Sequence, residues 1–137
     1  MDQSEILLVE DDTNCKELAL RALRKAGYGK VAVARDGVEA LGMLMGEGGE
    51  ALVGSGPLFV LLDMKLPKLD GIAVLRRLRS DARTRDLSVF SLSSSQDPSE
   101  IQQCLNLGVL AVLPKPLDPE RLKKWFPHRP VAVASCS

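Results

Sequence analysis

Five short apolar segments recur along the chain: Ile6–Val9, Val31–Ala34, Leu58–Leu62, Val89–Leu92 and Val109–Leu113. Each is followed by a stretch with helical periodicity. Neighbouring parallel strands need a crossover, and a helix supplies it, so the alternation predicts a parallel sheet covered by helices on both faces. Phe59-Val60-Leu61-Leu62 is apolar without alternation, as a central strand buried on two sides requires. Val31-Ala32-Val33-Ala34 carries smaller side chains and suits an edge. The expected fold is an α/β three-layer sandwich of (βα)5 type with a five-stranded parallel sheet.

The helical stretches carry their own start and stop signals. Asn14–Ala26 places Leu18, Ala19, Ala22, Leu23 and Ala26 on one face, with Asp12 and Thr13 as caps and Gly27 as the stop. The second stretch, Val38–Met45, carries Leu41, Leu44 and Met45. The third, Ile72–Arg79, carries Val74, Leu75 and Leu78 and ends in arginines that suit a helix C-terminus. Asp97-Pro98-Ser99-Glu100 supplies an N-cap, a proline at the first helical position and a glutamate at the third, and Gly108 ends that helix. Asp118-Pro119-Glu120 repeats the device for a fifth helix reaching Phe126. The glycine-rich segment Gly46–Pro57 reads as a loop.

Composition narrows the class. A chain of 137 residues is one domain's worth. Its 18 basic residues balance its 18 acidic ones, which speaks against nucleic-acid binding through bulk positive charge. The longest apolar runs are far below the ~20 residues of a membrane span, and the polar N-terminus is unlike a signal peptide. Cys15, Cys104 and Cys136 are odd in number and lack CxxC spacing, as expected of a reduced, cytoplasmic chain without a zinc site.

In open parallel sheets, ligands sit outside the carboxyl ends of the strands. The residues found there are Glu10-Asp11-Asp12, Asp63, Ser93-Ser94-Ser95 and, after Pro114, Lys115-Pro116. Glu10 and Asp11 precede the first helix too early to cap it, whereas Asp12 suits a cap. Carboxylates brought together repel unless one is protonated or a hard cation accepts their oxygens. Mg²⁺ fits best, because it prefers oxygen ligands and bridges carboxylates to phosphoryl oxygens. Asp63, at the end of the most apolar strand, is placed to act as an oxygen nucleophile towards phosphorus. The Ser93 hydroxyl and the Lys115 ammonium would then meet the remaining phosphoryl oxygens. The Lys115–Pro116 bond is a candidate cis peptide.

These residues resemble a bacterial two-component response-regulator receiver domain. The resemblance spans Glu5 to Phe126 and rests on Ile6-Leu7-Leu8-Val9-Glu10-Asp11, on the run from Leu61 to Gly71, on Leu92-Ser93-Ser94-Ser95 and on Lys115-Pro116. It implies a flavodoxin-like fold with strand order 2-1-3-4-5. It also implies that Glu10 and Asp11 are the acidic metal-binding pair and that Asp63 is the phosphoacceptor. Lys65 would ligate Mg²⁺ through its backbone carbonyl, Ser93 would be the switch hydroxyl and Lys115 the signalling lysine, while Pro67 and Gly71 would shape the turn after Asp63. Arg83-Thr84-Arg85-Asp86-Leu87 and the glycine-rich loop are similar to a narrower group, stand-alone regulators associated with bacterial phytochromes. Three positions depart from the pattern: Ser93 stands for the commoner threonine, Val112 for the usual aromatic and Ser88 for a proline.

The expected protein is thus a receiver domain over residues 1–126 with a short tail, 127–137, and no output domain. Its chemistry is limited to its own phosphorylation and dephosphorylation. The implied partners are a sensor histidine kinase (a phytochrome in the narrower match), a second copy in a homodimer and an unidentified downstream protein, with neither nucleic acid nor membrane. A receiver-like scaffold acting without phosphorylation is the alternative. A haloacid dehalogenase phosphatase needs a second acid two residues after the nucleophile, where Lys65 stands. Gly46-Glu47-Gly48-Gly49-Glu50-Ala51 follows a helix rather than a strand and is no dinucleotide fingerprint. His128 lies in the tail, and Arg76, Arg77, Arg79, Arg83 and Arg85 read as a solvated helix face.

Overall fold

Among the described residues, five strands and five helices alternate: β1 (Ile6–Val9), α1 (Thr13–Lys25), β2 (Val31–Ala34), α2 (Gly37–Met45), β3 (Phe59–Asp63), α3 (Gly71–Ser80), β4 (Val89–Ser93), α4 (Pro98–Asn106), β5 (Ala111–Pro114) and α5 (Pro119–Trp125). The computed structural model describes residues 6–28, 30–45, 59–66, 69–82, 84–94 and 97–125. The glycine-rich loop, Leu58, Pro67, Arg83, Ser95, Phe126, His128 and Cys136 lie outside the described residues. The strands form one parallel sheet in the order β2-β1-β3-β4-β5, so β2 is an edge, as its small side chains suggest.

Strand alternation sorts the core into two layers. Ile6, Leu8, Phe59, Leu61, Phe90, Leu92 and Leu113 meet Ala19, Ala22 and Leu23 of α1 and Leu122 of α5 on one face. Leu7, Val9, Val60, Leu62 and Val89 meet Leu41, Val74, Leu75, Leu78 and Cys104 of α2, α3 and α4 on the other. Burial of each such aliphatic side chain contributes roughly 1.5–3 kcal/mol, which fixes the register. Tyr28, Phe59 and Phe90 add edge-to-face ring pairs, at centroid separations of 5.8 and 5.6 Å.

Several boundaries differ from those the sequence predicts. Thr13 is the first helical residue rather than a cap, because Asp12 alone takes the cap position and accepts the Asn14 N–H at 2.8 Å. β3 continues to Asp63 and β4 to Ser93, so both polar residues end their strands rather than follow them. β5 begins at Ala111, because the Val109 N–H is still committed to the Cys104 carbonyl of the preceding helix. Gly27 and Gly108, at φ 102° and 82°, take the left-handed backbone that ends α1 and α4.

Arg79 corrects a further expectation. It does not belong to a solvated arginine face. Its guanidinium folds back over the amino-terminal ends of β4 and β5 and donates to the carbonyls of Leu107 (2.7 Å), Arg85 (2.8 Å), Leu87 (2.8 Å) and Gly108 (3.1 Å). Five fixed N–H donors suit a role that closes two turns at once. Burial lowers its pKa from the ordinary arginine value. Arg76, Arg77 and Arg85 are exposed.

Candidate functional site

Parallel register carries polar residues to one edge of the sheet. Val9 pairs with Leu62, so the next residues, Glu10 just beyond β1 and Asp63 at the end of β3, lie side by side. Asp63 pairs with Leu92 and Ser93 with Pro114, which sets Lys115 one step beyond β5. The Glu10 N–H is held by the Ala34 carbonyl at 3.0 Å and the Lys115 N–H by the Ser93 carbonyl at 3.1 Å. The Lys115–Pro116 peptide is cis.

The Lys115 ammonium lies 3.0 Å from Glu10 Oε1 and 3.0 Å from Asp63 Oδ1. Glu10 and Asp63 are buried, at 1% and 3% exposure, whereas Asp11 is exposed. Carboxylate oxygens of Glu10, Asp11 and Asp63 all lie within 4.8 Å of one another. The Lys65 N–H donates to Asp63 Oδ1 at 3.2 Å, and the Asp12 N–H to Glu10 Oε2 at 3.3 Å. These groups open into a cleft of about 490 Å³ whose wall includes Leu18, Ala19, Leu92, Ser94 and Leu117.

Burial pushes the Glu10 carboxyl up to about 7, with neighbouring Asp63 adding to the rise and the Lys115 ammonium opposing it. For Lys115, burial works to lower the pKa, but the two carboxylates outweigh it and the ammonium is held above the ordinary lysine value. Backbone N–H groups of Asn14 and Cys15 hold Asp12 below the usual aspartate range, as befits a helix cap.

Three carboxylates against one ammonium leave negative charge uncompensated. Glu10 Oε1 is buried and, although it faces the ammonium, receives no well-directed hydrogen bond. An all-oxygen donor set with more carboxylates than the one ammonium balances fits a hard divalent cation such as Mg²⁺.

The loop after Asp63 is shaped by Gly71, the first residue of α3. A Cβ there would fall 2.6 Å from Met64 Cε and 2.8 Å from both the Asp63 carbonyl oxygen and Met64 Cα. The Gly71 N–H donates to the Met64 carbonyl at 3.2 Å, so the helix start is pressed directly against the Asp63–Met64 backbone. Asp70 caps α3 by accepting the Ala73 N–H at 2.9 Å.

The protein-family comparison matches residues 6–126 to the response regulator receiver domain. The chain belongs to that family. It is 38% identical over 121 residues to the probable methanogenesis regulatory protein FilR2 of Methanothrix harundinacea, covering 87% of this chain and 76% of that one. It is 39% identical to response regulator MprA of Mycobacterium avium, covering 85% of this chain but 46% of MprA, so it spans about half of that relative. Among solved structures, the bacteriophytochrome response regulator AtBRR superposes with a TM-score of 0.76 at 37% identity, covering 90% of each chain. RtBRR, also a bacteriophytochrome response regulator, gives 0.79 at 39% identity over 90% of this chain and 75% of its own. The family is that of two-component systems, and its members bind Mg²⁺ at an acidic pocket of this kind. Among the described residues, no helix is long and apolar enough to cross a membrane.

Ser93, expected from the sequence to be the switch hydroxyl, does not line the cleft. Its Oγ donates to Glu100 Oε1 on α4 at 3.2 Å. The sequence reading absorbed Glu100 into helix capping. Asp97 performs that task by accepting the Ser99 N–H at 3.0 Å. The missed signal is spacing: a carboxylate one turn into α4, seven residues after a hydroxyl at a strand end, is within reach across the loop between them.

Proposed function

We propose that this receiver domain accepts a phosphoryl group on Asp63 from the phosphohistidine of a sensor kinase, in a Mg²⁺-dependent reaction. The observation that carries the reading is the setting of Asp63: buried, 3.0 Å from the Lys115 ammonium and grouped with Glu10 and Asp11. Glu10, Asp11, Asp63 and the Lys65 carbonyl are the assigned Mg²⁺ ligands. When bound, the ion neutralises charge on the transferring phosphoryl oxygens.

The chain's own residues do the rest. Lys115 and the Lys65 N–H hold Asp63 Oδ1 in place, which orients the carboxylate towards the cleft mouth. A carboxylate oxygen attacks phosphorus; the P–N bond breaks and its electron pair returns to the ring, which leaves as neutral imidazole because the other ring nitrogen of the phosphohistidine carries a proton. Lys115 then pairs with a phosphoryl oxygen, and the Ser93 hydroxyl takes another. Reset occurs when water attacks phosphorus, releasing inorganic phosphate and the Asp63 carboxylate. No other covalent chemistry is assigned. The phosphoryl group, carrying about −1.5 to −2 where the carboxylate carried about −1, biases α4 and β5 towards a second arrangement.

The likeness to AtBRR and RtBRR supports a phytochrome kinase as donor. Output passes through protein contact, with a homodimer and an unidentified downstream protein as partners, in the cytoplasm. Acetyl phosphate with Mg²⁺ should give an acid-labile adduct on wild type and none on Asp63→Asn. Equal behaviour of the two favours the phosphorylation-independent scaffold. Rapid phosphotransfer from a phytochrome kinase over other histidine kinases tests the narrower assignment, and a light-scattering mass above 14.8 kDa tests the dimer.

A further inference from the structure

The Ser93 hydroxyl is turned away from the chemistry it is expected to serve. It is 4% exposed and donates to Glu100 on α4, while its backbone carbonyl is fixed by the Lys115 N–H. With the backbone anchored, a change of side-chain rotamer is the simplest way to redirect it. A hydroxyl has one proton to donate. It can serve the Glu100 carboxylate or an oxygen on Asp63, not both.

The helix that carries Glu100 is weakly seated. Among the described residues, α4 contributes one buried residue, Cys104, against three from α1 and four from α3. Glu100 and Cys104 are four residues apart and share a helix face. That face meets Ser93 and Ser91 of β4, two residues apart on one side of the sheet. The Ser91 hydroxyl is buried beside the Cys104 thiol of α4. Polar groups thus enter the contact between α4 and β4, and the Ser93–Glu100 bond brings a carboxylate to it. Val112, rather than an aromatic, stands three residues before Lys115.

We infer that Glu100 is a positioning residue: it holds the Ser93 hydroxyl on α4, and phosphorylation of Asp63 takes that proton donor away from it, loosening the amino-terminal turn of α4. This rests on the proposed phosphorylation at Asp63. Glu100 then opposes the phosphorylated state, and removing it favours that state.

The test is beryllofluoride binding in excess Mg²⁺, followed by calorimetry on the full chain. Glu100→Ala should bind roughly three- to tenfold more tightly than wild type, the span expected for releasing one hydrogen bond. Glu100→Gln, which retains an acceptor oxygen, should fall between them. On a Ser93→Ala background the gain from Glu100→Ala should vanish. A general loosening of α4 would give the same gain on both backgrounds, and that result overturns the inference, as does equal affinity of wild type and Glu100→Ala. Failure of wild type to bind beryllofluoride or form an acid-labile adduct removes the Asp63 reading and this one with it.

Discussion

Asp63 and Lys115 meet across a strand that belongs to neither: β4 separates β3 from β5, yet Lys115 Nζ lies 3.0 Å from Asp63 Oδ1. The lysine reaches over the end of β4 and closes the cleft from the far side. The same ammonium also faces Glu10, so one cation serves two buried carboxylates.

Replacing Lys115 by Ala should leave Mg²⁺ binding intact or tighter, because the ammonium and the ion compete for the same oxygens. Buried carboxylates without a partner should cost the metal-free protein about 1–3 kcal/mol. Denaturant titration with and without Mg²⁺ reads both effects. The structural response to beryllofluoride, followed by amide chemical shifts in α4, should be weak.

The metal-free protein should lose stability as pH rises. Glu10 titrates near 4.5 when unfolded and at about 7 when folded, so the folded state holds the proton more tightly. That contribution is fully present below pH 4.5 and is lost as pH rises through 7. Glu10→Gln should flatten this part of a denaturant-midpoint profile. Lys115, with its raised folded pKa, contributes stability that disappears only above the ordinary lysine range. In wild type, apparent Mg²⁺ affinity should climb with pH through about 7 as the competing proton leaves Glu10.

Gly71→Ala should damage the site from behind. The new methyl meets the Asp63–Met64 backbone at 2.8 Å, so either the loop or α3 must shift. Overpacking of this kind costs about 1–3 kcal/mol. Beryllofluoride binding should weaken together with the melting temperature.

Arg79→Lys should separate stability from binding. A lysine cannot satisfy four carbonyls held by a planar guanidinium, and about 1–3 kcal/mol should be lost in denaturation. Beryllofluoride affinity should not change, because Arg79 lies at the end of the sheet remote from Asp63.

The sheet was legible because its information is periodic: Ile6–Val9 and Phe59–Leu62 cannot be buried on two faces except as central strands. The grouping of Glu10, Asp63 and Lys115 follows from topology, since parallel strands deliver their carboxyl ends to one edge. What sequence patterns conceal is direction. Arg79 occupies a position on α3 whose periodicity reads as solvated, and only the return of two later turns gives its guanidinium carbonyls to bind. Glu100 matches a helix-start pattern, and nothing local distinguishes capping its own helix from accepting a hydroxyl from a strand. The start of β5 was misplaced because Val109 is apolar enough for a strand while its N–H is spent on α4.

By gripping the carbonyls of Leu107 and Gly108, Arg79 bolts down the rear of α4 to the body of the molecule. A rod fastened at one end moves as a lever. Its opposite tip is the turn bearing Glu100, so a small push delivered there, once the Ser93 bond is given up, should become an angular sweep of the outer surface rather than a sliding of the whole helix.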